Sequence, residues 1–406
     1  MAERAIDEFD RMWADLAPIG RDGSTGGYRR FAWTAEDHAL REWFAAECAR
    51  RGLDSTEDRA GNQWAWWGDP DAAPGRGLVL GSHLDSVPGG GGYDGPLGVV
   101  SALAALDALR ETGHVPSRPI GVVNFADEEG ARFGVACAGS RIITGALAAD
   151  RALALRDAAG VPMADALRAA GRDPERLGPD DEALRRAGGF VELHIEQGRA
   201  LADLDPDTAA VAIGTGIWPH GRWRLELPGV ANHAGTTRLE DRHDAMLEAA
   251  RVVLAARDAA TRHGCLATVG KLSVVPGGVN AIPSRVTAWL DARGTDEGGV
   301  RAVVDEVTGG VERAGGTVAQ ESWTPATSFD RDLVARLRTA LGETTPLLGT
   351  GAGHDAGILA NAGVATAMLF VRNPTGISHS PAEFADADDC HRGVRALATV
   401  AEQLTR

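Results

Sequence analysis

The sequence is poor in cysteine, and nothing is built from what it has. Four cysteines in 406 residues (Cys48, Cys137, Cys265, Cys390) stand far apart without paired spacing, so neither a zinc knuckle nor a disulfide framework is implied. Reduced thiols in a cytoplasmic compartment are the simplest reading. The opening stretch MAERAIDEFDRMWADL is amphipathic and acidic, without the basic start and apolar stretch of a signal peptide. No run approaches the ~20 apolar residues of a membrane span. Repeats and low-complexity tracts are absent, and the 52 glycines are spread through turns. Positive charge is in deficit as well: 41 Lys and Arg against 57 Asp and Glu leave a net −16. That balance argues against nucleic acid or an anionic membrane as a partner.

What remains is an ordinary globular composition, 44% hydrophobic and 24% charged. The length exceeds what a single core usually fills, so more than one domain is expected. Thr34 opens a helix with Asp37 three residues on. Leu40, Trp43, Phe44 and Cys48 recur at helical spacing until Gly52. Trp64, Trp66 and Trp67 read as strand packing. GLVLGSH is a short buried strand ending at His83, and Pro96 starts a long helix that stops at Gly113. PIGVVNFADEEG is a second buried strand ending in acids. Strand–helix–strand order of this kind predicts an α/β fold, a mostly parallel sheet flanked by helices.

Between residues 214 and 324 the pattern changes. GRWRLELPG, a helix near 242–263, ATVGKLSVV, RVTAWLDAR, a helix near 298–314 and TVAQESW follow in the order β-α-β-β-α-β. This is the ferredoxin-like split motif, of a size that suits an inserted α+β domain. The expected organisation is a catalytic domain in two parts, 1–213 and 325–406, interrupted by a lid or dimerisation domain at 214–324.

The chemistry is carried by acids and imidazoles at the ends of strand-like runs, where ligands gather in open α/β sheets. They are His83 in GSHLDS, Asp94 in GYDGP, Glu129 in DEEGARF, His194 in ELHIEQG and His379 in ISHSP. Imidazole and carboxylate donors together suit divalent zinc, manganese, cobalt or nickel. Strand alternation puts His83 and Asp85 on one side, so Asp85 can accept the second ring N–H of a ligating imidazole. The glycine loop lets Asp94 bend back toward the sheet, and a carboxylate with two free oxygens can bridge two cations. Burying Asp127, Glu128 and Glu129 in succession is costly unless a cation compensates. One glutamate can then bind metal while its neighbour takes a proton from water.

These fragments, with ANHAGTTRLEDRHDA, GGVNAIPS and GAGHDAGI, resemble the carbamoylase and allantoate amidohydrolase branch of the aminoacylase-type dinuclear metallopeptidases. The likeness runs from about residue 80 to 385. It implies two divalent metal ions per subunit, one on His83, Asp94 and His194, the other on Asp94, Glu129 and His379. It implies Glu128 as general base, Asp85 as the acid that orients His83, and His233 as an oxyanion donor reaching into a partner subunit's site. Gln197, Asn280 and Arg293 would contact substrate, with Asn280 beside Arg293 on its carboxylate, and His354 would contact substrate or support the site. The same likeness implies a homodimer formed through the inserted domain. Relatives often read Thr-Pro-Met after HAGT where this chain has Thr237-Arg238-Leu239, and Trp218 and His220 mark a hinge or pocket.

The expected activity is cytoplasmic, metal-dependent hydrolysis of the linear C–N bond of a small ureido acid, an N-carbamoyl-L-amino acid or allantoate. Deacylation of a small N-acyl amino acid such as N-formyl-L-glutamate would use the same groups. A binding protein that kept the fold and lost the metals is the rival from another class, and the intact ligand set with Glu128 speaks against it.

Overall fold

Helix α1 (Glu3–Leu16) buries Phe9, Met12 and Leu16, and α2 (Ala35–Arg50) buries Leu40, Phe44 and Cys48. Thr34 caps α2 by accepting the N–H of Asp37, while the Asp37 carboxylate accepts the N–H of Trp33 at 2.9 Å. This is the reciprocal cap expected from the sequence, with its return bond one residue earlier. In this computed structural model, which describes residues 3–72 and 77–406, the contacts divide the chain into two units. The first runs to Gly216 and resumes at Ser328–Arg406; the second is Ile217–Thr327.

The first unit begins its sheet with the hairpin β1 (Asp54–Glu57) and β2 (Gln63–Trp67), where the rings of Trp64 and Trp66 stack. Strand β3 (Gly77–His83), helix α3 (Pro96–Glu111) and strand β4 (Ile120–Phe125) make the expected βαβ unit, with β3 and β4 parallel. Helix α3 is buried nearly all round from Pro96 to Leu109, as an apolar helix must be when covered on both sides. Short helices α4 (Ala138–Ile143), α5 (Ala149–Ala154), α6 (Met163–Ala169) and α7 (Asp181–Arg186) lead to β5 (Ala187–Ile195) and β6 (Val211–Ile217).

The second unit holds β7 (His220–Pro228), the two-residue β8 (Asn232–His233), α8 (Ala245–His263), β9 (Leu266–Val275), the two-residue β10 (Ala281–Ile282), β11 (Arg285–Arg293), α9 (Glu297–Arg313) and β12 (Thr317–Thr324). Its four long strands pair antiparallel in the order β12-β7-β11-β9. Alternation along β7 and β11 sends Leu225, Leu227, Val286 and Leu290 to one face, against Val252 of α8 and Val307 of α9. The other face keeps the charged residues, and β9 lies at an open edge.

The chain returns through β13 (Thr327–Ser328), α10 (Arg331–Leu341), β14 (Leu347–Thr350), α11 (Asp355–Asn361), β15 (Thr366–Val371) and α12 (Ala387–Leu404). The large sheet has the order β1-β2-β4-β3-β5-β15-β6-β13, with β14 added beside β6. Strands β4, β3, β5 and β15 are mutually parallel, whereas β1, β2 and β6 pair antiparallel. The sheet is therefore parallel at its centre and antiparallel toward both edges. Leu80, Val122, Leu193 and Leu369 join the core that α1, α3 and α12 cover.

Candidate metal centre

The four central parallel strands end side by side, and that is where the donors meet. His83 is the last residue of β3, His194 lies one residue from the end of β5, and Glu129 and His379 follow β4 and β15. Asp94 sits on the loop between β3 and α3. The Gly95 after it has φ +85°, and a Cβ there would come within 2.3 Å of the His83 ring. Only glycine lets the helix start this close to the imidazole.

Asp94 faces two groups of donors with different oxygens. Its Oδ1 lies 3.1 Å from His194 Nε2 and 3.6 Å from His83 Nε2. Its Oδ2 lies 3.4 Å from His379 Nε2, which is 3.7 Å from Glu129 Oε2. All five expected ligands are thus brought together in two groups that share Asp94. The Nδ1 of His194 is 2.9 Å from the Ile195 carbonyl, and the Nδ1 of His83 is 3.2 Å from that of Asp85. Those carbonyls fix the ring protons on Nδ1, so both Nε2 lone pairs point inward. Both Nε2 atoms and Glu129 Oε1 are buried without a hydrogen-bond partner among the described residues. Orphaned donors of this kind fit a pair of divalent cations.

The charge state of the cluster follows from burial and neighbours. Burial alone would raise the Asp94 carboxyl, but His194, His379 and His83 hold it well below the usual range. Hydrogen bonding to Asp94 lifts His379 to about 9. Burial, with Asp94 beside it, raises Glu129 to about 7, and burial drives Glu128 well above its usual value against the pull of His83. A carboxylate that resists ionisation here is suited to holding and releasing a proton.

Glu128 points Oε2 toward His83 Nε2 at 3.7 Å, and its Oε1 receives the thiol of Cys137 at 3.3 Å. The Asp85 carboxylate accepts the N–H groups of Glu128 and Glu129 at 3.1 and 3.0 Å, with Oδ1 also 3.4 Å from His83 Nδ1. It therefore fixes the turn that carries both glutamates as well as facing the imidazole. Gln197 donates to Asp94 Oδ2 at 2.9 Å, so its amide reaches the shared carboxylate. His354 is buried with its ring 4.6 Å from that of His194, and burial holds it well below its usual value as a neutral imidazole.

The second unit carries the other expected residues. His233 on β8 pairs with Ala281 on β10, and the N–H of Ala234 bonds the Asn280 carbonyl at 2.9 Å, so His233 and Asn280 are neighbours. The Nδ1 of His233 accepts the Gly235 N–H at 3.0 Å, which leaves the ring proton on Nε2. Arg293 does not lie beside Asn280. It ends β11, opposite His220, and the eight steps from Arg285 to Arg293 span about 26 Å of extended strand. Asn280 lies in the turn before β10, off the strand that Arg293 ends. Arg238 is forked onto Asp241 at 2.7 and 3.0 Å, and His220 Nδ1 lies 3.0 Å from the Trp218 carbonyl.

Cys137, Ser378 and Glu383 line the centre without having been singled out from the sequence. Glu383 had a signal, four residues past His379 in the same fragment. Cys137 had none, because only the turn after β4 brings it back to Glu128.

Imidazoles and carboxylates gathered at the carboxyl ends of parallel strands, with a buried glutamate beside them, define a metallohydrolase type of centre. Residues 79–403 match the model of peptidase family M20/M25/M40, and the chain belongs to that family. It is 37% identical to an N-carbamoyl-L-amino acid amidohydrolase of Geobacillus stearothermophilus over 98% of both chains. It is 32% identical to the allantoate amidohydrolase of Escherichia coli, covering 96% of this chain and 95% of that one. Among solved structures, a hydantoinase/carbamoylase family amidase from Burkholderia ambifaria superposes with a TM-score of 0.82 at 34% identity, over 99% of this chain and 98% of that one.

Proposed function

We propose that the protein is a metal-dependent amidohydrolase that cleaves the linear C–N bond of a small ureido acid, an N-carbamoyl-L-amino acid or allantoate. The observation that carries this reading is the pair of inward-facing Nε2 atoms of His83 and His194, 3.6 and 3.1 Å from Asp94 Oδ1, with Glu128 beside them. His83, Asp94 and His194 would hold one divalent cation, and Asp94, Glu129 and His379 the other. Bound there, the cations supply Lewis acidity that polarises the scissile carbonyl and makes water nucleophilic near neutral pH. Glu128 takes the proton of the attacking water and delivers it to the leaving nitrogen. Asp85 keeps Glu128 and Glu129 in register through their N–H groups, and Gln197 and His354 complete the wall. His233, with its proton on Nε2, donates to the oxyanion, and Asn280 and Arg293 engage the substrate carboxylate.

Arg293 ends β11, about 26 Å of extended strand from Arg285 at its start, whereas Asn280 lies in the turn before β10. That placement supports a homodimer in which His233 and Asn280 serve the partner subunit's site. The second unit offers a fitting surface. Edge strand β9 is open, and Leu247 and Leu254, one face of α8, are 52% and 68% exposed. All four cysteines are free, and no described helix is long and apolar enough to cross a membrane. Free thiols agree with a cytoplasmic location.

The deciding experiment is a hydrolysis screen of metal-stripped protein reloaded with manganese, zinc, cobalt or nickel. Allantoate and carbamoyl, formyl and acetyl amino acids are the substrates. Turnover of a ureido acid above the formyl and acetyl compounds is expected; preference for an N-acyl acid would overturn the substrate assignment.

A further inference from the structure

We infer that Glu383 is a positioning residue that holds Asp94, and through it both metal-binding groups, from behind the glycine loop. The inference rests on the two-metal reading above. Glu383 is 6% exposed, and its Oε2 accepts two backbone N–H groups, those of Tyr93 at 2.9 Å and Asp94 at 3.1 Å. A carboxylate accepting two backbone donors makes charge-assisted bonds with defined direction. They orient the peptide from which the Asp94 side chain springs.

The same residue belongs to the other ligand loop. Its own N–H bonds the Ser380 carbonyl at 3.0 Å, closing the turn that presents His379. Ser378 bridges the two, with Oγ 3.3 Å from Asp94 Oδ2 and 3.4 Å from Glu383 Oε1. One buried side chain thus ties together two ligand loops separated by almost three hundred residues of chain. Asp94 is the donor common to both groups, so a small rotation of its peptide moves both oxygens away from their imidazoles.

Room for this clamp depends on Gly91. A Cβ on that residue would lie 2.2 Å from Glu383 Oε2 and 2.4 Å from its Cβ. Gly91 does not have a positive φ, so alanine there meets no left-handed strain, and its Cβ would press on the Glu383 side chain from Cβ to carboxylate. The loop is glycine at this point because the glutamate passes across it.

The test strips the full-length protein of metal and titrates it with cobalt(II). The d–d absorption is read as the signature of ligand geometry, and affinity is read by competition with a chelating dye. Glu383→Ala is expected to bind cobalt ~10–100-fold more weakly with an altered spectrum, whereas Glu383→Gln, whose amide oxygen still accepts both N–H groups, stays within ~3-fold of wild type. Gly91→Ala, with every ligand and Glu383 itself intact, is expected to follow Glu383→Ala. It keeps the test open should Glu383→Ala fail to fold. A residue that merely staples the surface would lower thermal stability without moving the spectrum. Wild-type affinity and spectrum in folded Glu383→Ala, or in Gly91→Ala, overturns this inference alone. A wild-type chain that takes up no cobalt overturns the two-metal reading and this inference with it.

Discussion

Arg293 and Asp291 are joined by a two-point ion pair, with Nε 2.8 Å from Oδ1 and Nη2 2.7 Å from Oδ2. Both point from the helix-free face of the second unit's sheet, at the end of β11, where Arg222 also approaches Asp291 at 3.5 Å. If Arg293 takes the substrate carboxylate as proposed, the guanidinium is already held in one direction, and that arrangement would lower the entropy lost on binding. Arg293→Ala should weaken kcat/KM for carboxylate substrates by about 2–5 kcal/mol, the range for a desolvated charged contact. Removing the substrate carboxylate should cost a similar amount, and the two losses should not add. Full additivity in that cycle, or equal turnover of the carboxylate-free substrate, would show that Arg293 does not bind the substrate carboxylate.

Glu128→Gln should keep fold and metal content and lose at least ~10²-fold in kcat, because the amide cannot take a proton from water. Metal analysis beside steady-state kinetics separates this from ligand loss. Near-normal turnover in metal-replete Glu128→Gln would remove Glu128 as the base.

Complementation tests the shared site. His233→Ala and Glu128→Gln should each be inactive alone. After subunit exchange, a mixed dimer has one site with both groups intact, so equal mixing should recover about a quarter of wild-type activity. No recovery, with exchange verified by mass spectrometry of tagged subunits, would reject a site built across the boundary.

A pH prediction comes from outside the centre. Glu47 is buried between Arg51 and Arg11, at 2.6 Å from each, and Arg51 also holds Asp107 at 2.6 Å. Burial alone would raise Glu47, but bonding and charge contact with the two arginines bring it below its usual value of 4.5. The folded pKa is thus below the unfolded one. The stabilisation is complete above the unfolded value and is lost as pH falls through the folded value. Urea midpoints should therefore drop below about pH 4.5 in the wild type, and Glu47→Gln should flatten that acid limb. The variant should also be about 1–3 kcal/mol less stable at pH 7, since Arg51 keeps Asp107 but loses a charged acceptor. Parallel acid limbs in the two proteins would count against the ion pair as their source.

Much of the first unit was legible because its signals are local. An apolar run ending in His83 or in Asp127-Glu128-Glu129 is a strand that stops where the polar chain must face water or a ligand. Thr34, Pro96 and Gly52 mark helix ends through bonds to their own neighbours. The five ligands could be read for the same reason, since each lies at the end of a strand or on the loop that follows it. Strands β6, β13 and β14, beyond β15, were not legible: they pair only because β15 leaves an edge open to β6 and β6 in turn one to the short β13 and β14.

The sequence by itself determined which residue types are available and which strands end in them: three imidazoles, a glycine-borne aspartate and paired glutamates, on a chain with no cysteine framework. Tertiary structure alone decided which of these meet. It ordered the strands β4-β3-β5-β15 so that four strand ends converge on Asp94, and it returned Cys137 to Glu128 and Glu383 to the Asp94 loop. It also set Arg293 at the far end of β11 and left Asn280, thirteen residues earlier, in the turn before β10. The physical reason is the same in each case. Periodicity and capping act over a few residues and are written in them. Convergence depends on sheet order and loop closure, which are settled by burying apolar faces that no local window contains.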